Sequence, residues 1–229
     1  MVNFSLSRVG EFLPQLLPFI PVTLLLIGLT FVIGSLLGGA LTWIQLSNEV
    51  GVRKIAEGYI FILRCTPPIV LLFLVFYGIP EFLKWWIGLD INNWPRSVFV
   101  VITLILLFAA MISEVFKSAY LALPKGQEEA GLSIGLTPFQ TFSRILLPQI
   151  IKLALPNMTT ALLNLMKDAA LAYTIGMVDI MGAANLIVGR NLGNYSLETY
   201  TAVAIIYWGL SLLFSLVSQW LEQTIPPKA

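Results

Sequence analysis

Five long apolar stretches separated by polar connections dominate the chain. The first, LPFIPVTLLLIGLTFVIGSLLGGALTWIQL, runs from Leu17 to about Leu46. The second runs from Ile55 to about Ile79, the third from Ser97 to about Leu123, and the fifth from Tyr200 to about Leu221. The fourth, Gln149 to about Ile180, is interrupted. A helix needs about 20 apolar residues to cross the hydrocarbon core of a bilayer. The pattern predicts an all-α integral membrane protein of five spans in one domain. Residues 1–20 predict an amphipathic lead-in lying at the membrane interface. That start lacks a basic n-region and a clear small-residue cleavage site, so it does not read as a removed signal peptide. Residues 223–229 form a C-terminal tail. Gly34, Gly38, Gly39 and Ala40 cluster on the first span, and small residues let membrane helices approach closely.

One connection is richly punctuated. Pro124 suits a helix start, and Glu128 and Glu129 fall in the first turns, where the helix dipole favours acids. Gly135 is placed to end that helix in a left-handed cap. Thr137 then restarts the chain as an N-cap, with Pro138 at the first helical position and Gln140 able to close a capping box. Leu132, Ile134, Leu136, Phe139 and Phe142 give the loop an apolar surface directed away from lipid. Apolar patches with polar rims usually meet a protein partner.

Composition sharpens this picture. The chain is 58% hydrophobic and 11% charged, with a mean hydropathy of +0.88. Globular domains are roughly 45–50% apolar and about 25% charged, so the solvent here is lipid. A net charge of +1 offers no polybasic surface for nucleic acid. The chain has no histidine, which removes the usual general base and metal ligand, and a single cysteine, Cys65, which excludes an internal disulfide. No phosphate-binding loop of the GxxxxGK[ST] type is present, and no catalytic residue is assigned. Arg53, Lys54, Lys117, Lys125, Arg144 and Lys152 lie on one side of the spans and Arg8, Lys84, Arg96 and Arg190 on the other. By the positive-inside rule the amino terminus is outside and the carboxyl terminus cytoplasmic. Trp85, Trp86 and Trp94, between the second and third spans, suit an interfacial belt.

Polar groups at membrane depth are costly and usually functional or paired. Arg64 precedes Thr66-Pro67, a second helix start within the second region. It either meets a substrate carboxylate or pairs with a neighbouring carboxylate or carbonyl. Lys167 and Asp168 face a cavity or a dimer axis, or form salt bridges within the bundle. Glu114 and Lys117 are spaced for an intrahelical pair. Asn157 and Asn164 share a helix face that could line a path. No inverted repeat of the kind found in many secondary transporters is evident, and five spans do not divide into equal halves.

Glu129-Ala130-Gly131, then three residues, Gly135, then nine residues and Ile145-Leu146-Leu147-Pro148 resemble the EAA signature of the inner-membrane permeases of ABC importers. Gly131 replaces the third alanine of that signature. Arg64-Cys65-Thr66-Pro67 is similar to the RGTP segment of the polar amino-acid branch, with cysteine for glycine. Ser113-Glu114-Val115-Phe116-Lys117 is similar to its AExxR segment. Pro148-Gln149 and Met166 to Leu171 match its PQ and LKxTSL segments in part. Ala172 to Gly176 and Asp179 to Gly182 look more like the cystine and sulfur-amino-acid importers. The resemblance implies a five-span type I importer permease fold over residues 21–222, in the inner cell membrane, with a cytoplasmic coupling loop at about 121–148. It implies work as a homo- or heterodimer on a cytoplasmic ABC ATPase dimer, which carries the ATP and Mg, with no cofactor on this chain. An extracytoplasmic binding protein delivers an amino acid, cystine foremost; glutamine, glutamate, arginine or histidine are the alternatives, and an ion-coupled secondary transporter is the rival class. The coupling residues it implies are Glu128, Glu129, Ala130, Gly131, Gly135, Ile145, Leu147 and Pro148. Candidates for the solute path are Arg64, Thr66, Asn157, Asn164, Lys167 and Asp168.

Overall fold

A computed structural model describes residues 4–124 and 126–224, and every regular element in it is a helix. Lys125, residues 1–3 of the lead-in and residues 225–229 of the tail lie outside the described residues. In chain order the helices are α1 (Leu6–Leu16), α2 (Ile20–Gln45), α3 (Val50–Cys65), α4 (Pro68–Phe73), α5 (Ile79–Ile87) and α6 (Arg96–Leu121). They continue as α7 (Gly126–Ser133), α8 (Pro138–Thr141), α9 (Leu147–Ala169), α10 (Ile180–Arg190) and α11 (Ser196–Thr224). Among the described residues, five segments are long and apolar enough to cross a bilayer: Leu6–Gln45, Pro68–Ile87, Arg96–Leu121, Pro138–Ile175 and Ser196–Thr224.

The second segment sits later than its hydropathy suggests. Two successive prolines follow Thr66, and a residue before proline is pushed out of the helical region. Thr66 takes ψ 124° and ends α3. The spanning helix then restarts at Pro68 and runs through a π turn, Leu74–Gly78, into α5. Part of the apolar run from Ile55 is thus spent on α3, which buries Ala56, Ile60 and Leu63, half-buries Arg53 and exposes Glu57.

The amphipathic lead-in, α1, is laid against protein. Its apolar face, Val9, Phe12 and Leu16, is buried in the main core, and Ser5 N–H donates to Glu198 Oε1 of α11 at 3.1 Å. The centre of the bundle is α6 against α2. Gly34, Gly38 and Thr42, one turn apart, are all buried. A Cβ on Gly38 would collide with Ile112 Cγ2, and one on Gly34 would lie 2.8 Å from Phe108. Gly39 and Ala40 take no part in this contact: Ala40 is exposed and a Cβ on Gly39 would meet nothing within 4 Å. The outward faces of α2 (Leu25, Leu29, Val32, Ile33, Leu36) and α11 (Trp208, Leu212, Leu213, Leu216, Trp220) are apolar, with Gln219 the exception near the end of α11. Faces of this kind suit lipid.

Candidate functional site: a punctuated loop and a polar helix face

The connection between α6 and α9 folds as local chemistry dictates. Gly135 ends α7 with φ 86°, in the left-handed region that favours glycine. Gly135 N–H donates to Leu132 O at 3.0 Å and Leu136 N–H to Gly131 O at 3.2 Å, the two bonds of a Schellman cap. Thr137 then accepts from Gln140 N–H at 3.2 Å while Gln140 Oε1 accepts from Thr137 N–H at 2.9 Å. This reciprocal capping box opens α8, with Pro138 in its first turn. A π turn, Phe142–Leu146, carries the chain into α9, and such turns recur at functional positions.

The loop has an inner and an outer side. Gly131 and Thr141 are buried face to face, and a Cβ on Gly131 would lie 2.6 Å from Thr141 Cγ2 and 3.0 Å from Ile145 Cδ1. Ile145 and Leu146 pack on Ala119, Ile150 and Ala154 beneath. Glu128, Glu129, Ala130 and Gly135 are exposed, Leu147 is exposed at the start of α9, and Pro148 is half-buried. Ile134 and Phe139 stand at the tip, 76% and 78% exposed. Two further side chains tie the loop to the spans. Gln149 donates to Ile145 O at 2.7 Å and reaches Gln127 Oε1 at 3.4 Å. Trp43, at the end of α2, meets Phe142 edge-on with ring centroids 6.0 Å apart. The arrangement suits mechanical docking: a rigid turn bearing two exposed apolar side chains and two carboxylates.

The second feature is the outward face of α9. Asn157, Thr160 and Lys167 are exposed and Asn164 is half-buried. Their spacing repeats every three to four residues, so they form one stripe. Thr160 escaped the sequence reading, although its place one turn from Asn157 is a legible signal. Unlike α2 and α11, α9 turns a polar face outward, and lipid is a poor neighbour for it. Lys167 and Asp168 part company. Asp168 is half-buried beside a cavity of about 10 Å³ lined by Pro68, Leu72, Thr103, Leu104 and Leu171. That volume accommodates about one water molecule, far too little for an amino acid.

Three pairings differ from expectation or resolve it. Arg64 Nη1 lies 3.9 Å from Glu114 Oε2, both groups partly exposed. This is a loose pair of low intrinsic worth. Glu114 therefore turns to α3, while Lys117 Nζ donates to Gln45 Oε1 at 2.6 Å on α2. The expected intrahelical pair of Glu114 and Lys117 gives way because each side chain finds a partner on a neighbouring helix. The helix start expected at Thr66-Pro67 falls there, with Pro67 as N-cap of α4, while the Thr66 hydroxyl donates back to Ile62 O of α3 at 2.8 Å. Among the described residues, Lys167 and Asp168 enter no salt bridge, and no cluster of three or more metal-ligating side chains occurs.

Between α9 and α10, Gly176 takes φ 77°, and its carbonyl accepts from Arg96 Nη1 at 2.8 Å. Asp179 then N-caps α10, accepting from Gly182 N–H at 2.8 Å. It is wholly buried, and burial pushes its carboxyl up to about 6 against the pull of that N–H.

Comparison with known proteins agrees with this geometry. The family described as binding-protein-dependent transport system inner membrane component matches residues 32–226. The L-cystine transport system permease protein TcyL of Bacillus subtilis (strain 168) is 37% identical over 211 residues, covering 92% of this chain and 87% of that protein. The glutamate/aspartate import permease protein GltK of Escherichia coli O157:H7 is 28% identical, over 97% of this chain and 99% of its own. A crystal structure of an amino acid ABC transporter with histidines superposes with a TM-score of 0.82 at 26% identity, covering 97% of this chain and 99% of that one. This chain accordingly belongs to the binding-protein-dependent transport system inner membrane component family, as a type I importer permease that is a transport subunit and not an enzyme.

Proposed function

We propose that this chain is the permease subunit of an ATP-driven importer of amino acids, with cystine the best-carried substrate. The observation that carries the importer reading is the loop of α7 and α8. Its cap geometry is rigid, its inner face is packed on α6 and α9, and its tip exposes Ile134 and Phe139 beside Glu128 and Glu129. An apolar tip rimmed by charge fits a groove on a soluble partner. The partner proposed is a cytoplasmic ATPase dimer that holds ATP and Mg. Its closure would draw the loops of two permease subunits together, and Pro148, Gln149 and the π turn would pass the motion to α9. The loop then lies in the cytoplasm, the carboxyl terminus lies on the same side, and the amino terminus lies outside.

The polar face of α9 supports a solute path. Asn157, Thr160, Asn164 and Lys167 would face the second permease subunit across that path, while α2 and α11 face lipid. Arg64, in a loose pair with Glu114, has donors left for a substrate carboxylate. The identity with the L-cystine permease, spread over most of both chains, supports the substrate. An extracytoplasmic binding protein would deliver it. The test is uptake into liposomes holding the permease with its ATPase and binding protein, against a panel of amino acids, sugars and metal ions. ATP-dependent uptake with cystine foremost is expected. Uptake of sugars or metal ions without amino acids overturns the reading.

A further inference from the structure

On the side of α9 away from its polar stripe, a groove of about 100 Å³ lies between α2, α9 and α11. Phe31, Leu155, Leu162, Phe214 and Val217 line it, and the hydroxyls of Thr159 and Ser218 meet across its floor. At 3.6 residues per turn, Leu155, Thr159 and Leu162 point roughly opposite to Asn157, Thr160 and Asn164. This apolar lining offers nothing to the charges of an amino acid. The groove opens beside the lipid-facing residues of α2 and α11: Val32 and Leu213 are exposed next to Phe31 and Phe214, and Val217 is itself 48% exposed. Its neighbours in a bilayer are therefore hydrocarbon chains.

One end of the groove is charged. Trp43 of α2 meets Phe142 at the loop end of the bundle, and Ser5 meets Glu198 at the other end, so α11 descends towards the loop from which α9 rises. From Thr159 and Ser218 towards that end, Glu222 comes one turn along α11 and Lys152 two turns along α9. Lys152 shares the groove side of α9 with Thr159, and Lys152 and Glu222 are both half-buried. Among the described residues, Lys152 enters no salt bridge or side-chain hydrogen bond, and Glu222 accepts only from Ser218, at 3.3 Å. The Lys152 carbonyl is a third polar group at this end. Pro156, inside α9, has no N–H to give it, and acceptors freed in a spanning helix take donors from their surroundings. A cation, an anion and a spare acceptor thus border an apolar groove at the end of the spans.

We propose that this groove is a binding site for a phospholipid with a primary amine, phosphatidylethanolamine. One acyl chain lies along the groove, the phosphate meets Lys152, and the ammonium donates to the Glu222 carboxylate and the freed Lys152 carbonyl. Both headgroup charges then have a partner, in charge-assisted hydrogen bonds. Phosphatidylcholine carries a quaternary ammonium with no N–H to donate. Phosphatidylglycerol carries no cation, and its phosphate would meet Glu222 unopposed. The bound lipid braces α9 against α11, so its loss loosens the helix that continues from the α7–α8 loop. The site depends on the chain spanning a membrane and not on the identity of the solute.

The test uses the full-length permease, purified in detergent and stripped of lipid, with phosphatidylethanolamine, phosphatidylcholine or phosphatidylglycerol added back. Native mass spectrometry counts the lipid retained, and the thermal midpoint reports the brace. The wild type should retain phosphatidylethanolamine at a concentration roughly tenfold below that needed for the other two, with a rise in midpoint that they do not give. Lys152→Ala and Glu222→Gln should each raise the half-saturating concentration of phosphatidylethanolamine roughly tenfold. Glu222→Gln should also erase its advantage over phosphatidylglycerol. Val217→Trp, at the exposed edge of the groove, should lower retention of phosphatidylethanolamine while the lipid-free midpoint stays at the wild-type value. Equal retention of the three lipids by the wild type overturns the proposal, and this comparison holds even where a variant fails to fold. Unchanged half-saturation in both Lys152→Ala and Glu222→Gln overturns the headgroup contacts. Equally tight retention of chain-free glycerophosphoethanolamine overturns the groove.

Discussion

Gly131 stands where the EAA signature has alanine, and its surroundings account for the exchange. Thr141 and Ile145 fill the space a methyl group would need. Gly131→Ala should cost about 1–3 kcal/mol as overpacking. Thr141→Ala should recover much of that in the double variant, because it removes both the colliding methyl and a buried hydroxyl that lacks a partner. Thermal unfolding of the four-member cycle in detergent measures the coupling, and additive effects would contradict the contact. Arg64 makes a different test. Arg64→Ala should lower uptake while assembly with the ATPase survives, and Arg64→Lys should recover only part of it because the bidentate fork is lost. Loss of folding in Arg64→Ala would instead mark the Glu114 pair as structural. Asp179 predicts a pH effect. Its folded carboxyl is raised by burial from 3.8 to about 6, so the fold favours the protonated form. The resulting stabilisation is complete below the unfolded value and is lost as pH rises through 6, a swing on the order of 3 kcal/mol. Asp179→Asn keeps an N-cap and carries no charge, so its unfolding midpoint should lack that dependence. A wild-type slope that survives in Asp179→Asn would assign the effect elsewhere. At this scale the sequence was legible where partners are local, as at Thr137, Gln140 and Gly135. Where the partner lies on another helix it misled, pairing Glu114 with Lys117, or was silent, as on what Gly131 meets.

Helices follow from hydropathy because lipid leaves a backbone no other way to satisfy its donors and acceptors. All five spans were legible for this reason, and the second was displaced. Its apolar residues extend over α3 as well as the span, and hydropathy alone does not say on which side of Thr66-Pro67 the membrane lies. The glycine cluster of α2 shows the same limit. Composition marks Gly34, Gly38 and Gly39 alike, and only the angle at which α2 meets α6 separates them. Gly38 is buried against Ile112 and the Ala109 carbonyl, whereas Gly39 meets nothing within 4 Å. Gly38→Ala should therefore lower stability by about 1–3 kcal/mol through strain at the α2–α6 contact. Gly39→Ala should be neutral or stabilising by up to roughly 1 kcal/mol, since alanine is the better helix former. Thermal midpoints of the two purified variants decide this, and equal losses would mean that the close approach of α2 to α6 is not what holds the pair.

For the whole molecule, the loop and the α9 face become one device when the loop's rigidity is what carries force. Gly135 isolates that property. A Cβ there meets nothing within 4 Å, so substitution introduces backbone strain without a collision. The strain is on the order of 1–3 kcal/mol and greatest for a β-branched residue. Asparagine tolerates the left-handed conformation better than other side chains. Coupling should consequently fall in the order Gly135, Asn, Ala, Val. The spans do not rest on this turn, so each variant should insert and fold. Gly135→Val should redirect the chain leaving α7, move Ile134 and Phe139 relative to Glu128 and Glu129, weaken docking on the ATPase, and lower the uptake obtained per ATP hydrolysed. Glu129→Ala removes one rim charge and no backbone geometry, so its loss should be milder and more dependent on salt. Co-elution with the ATPase and uptake per ATP in the reconstituted complex provide the measurement. If Gly135→Val co-elutes and couples as the wild type does, the rigid turn is not the lever, and the polar stretch between α6 and α9 needs another explanation.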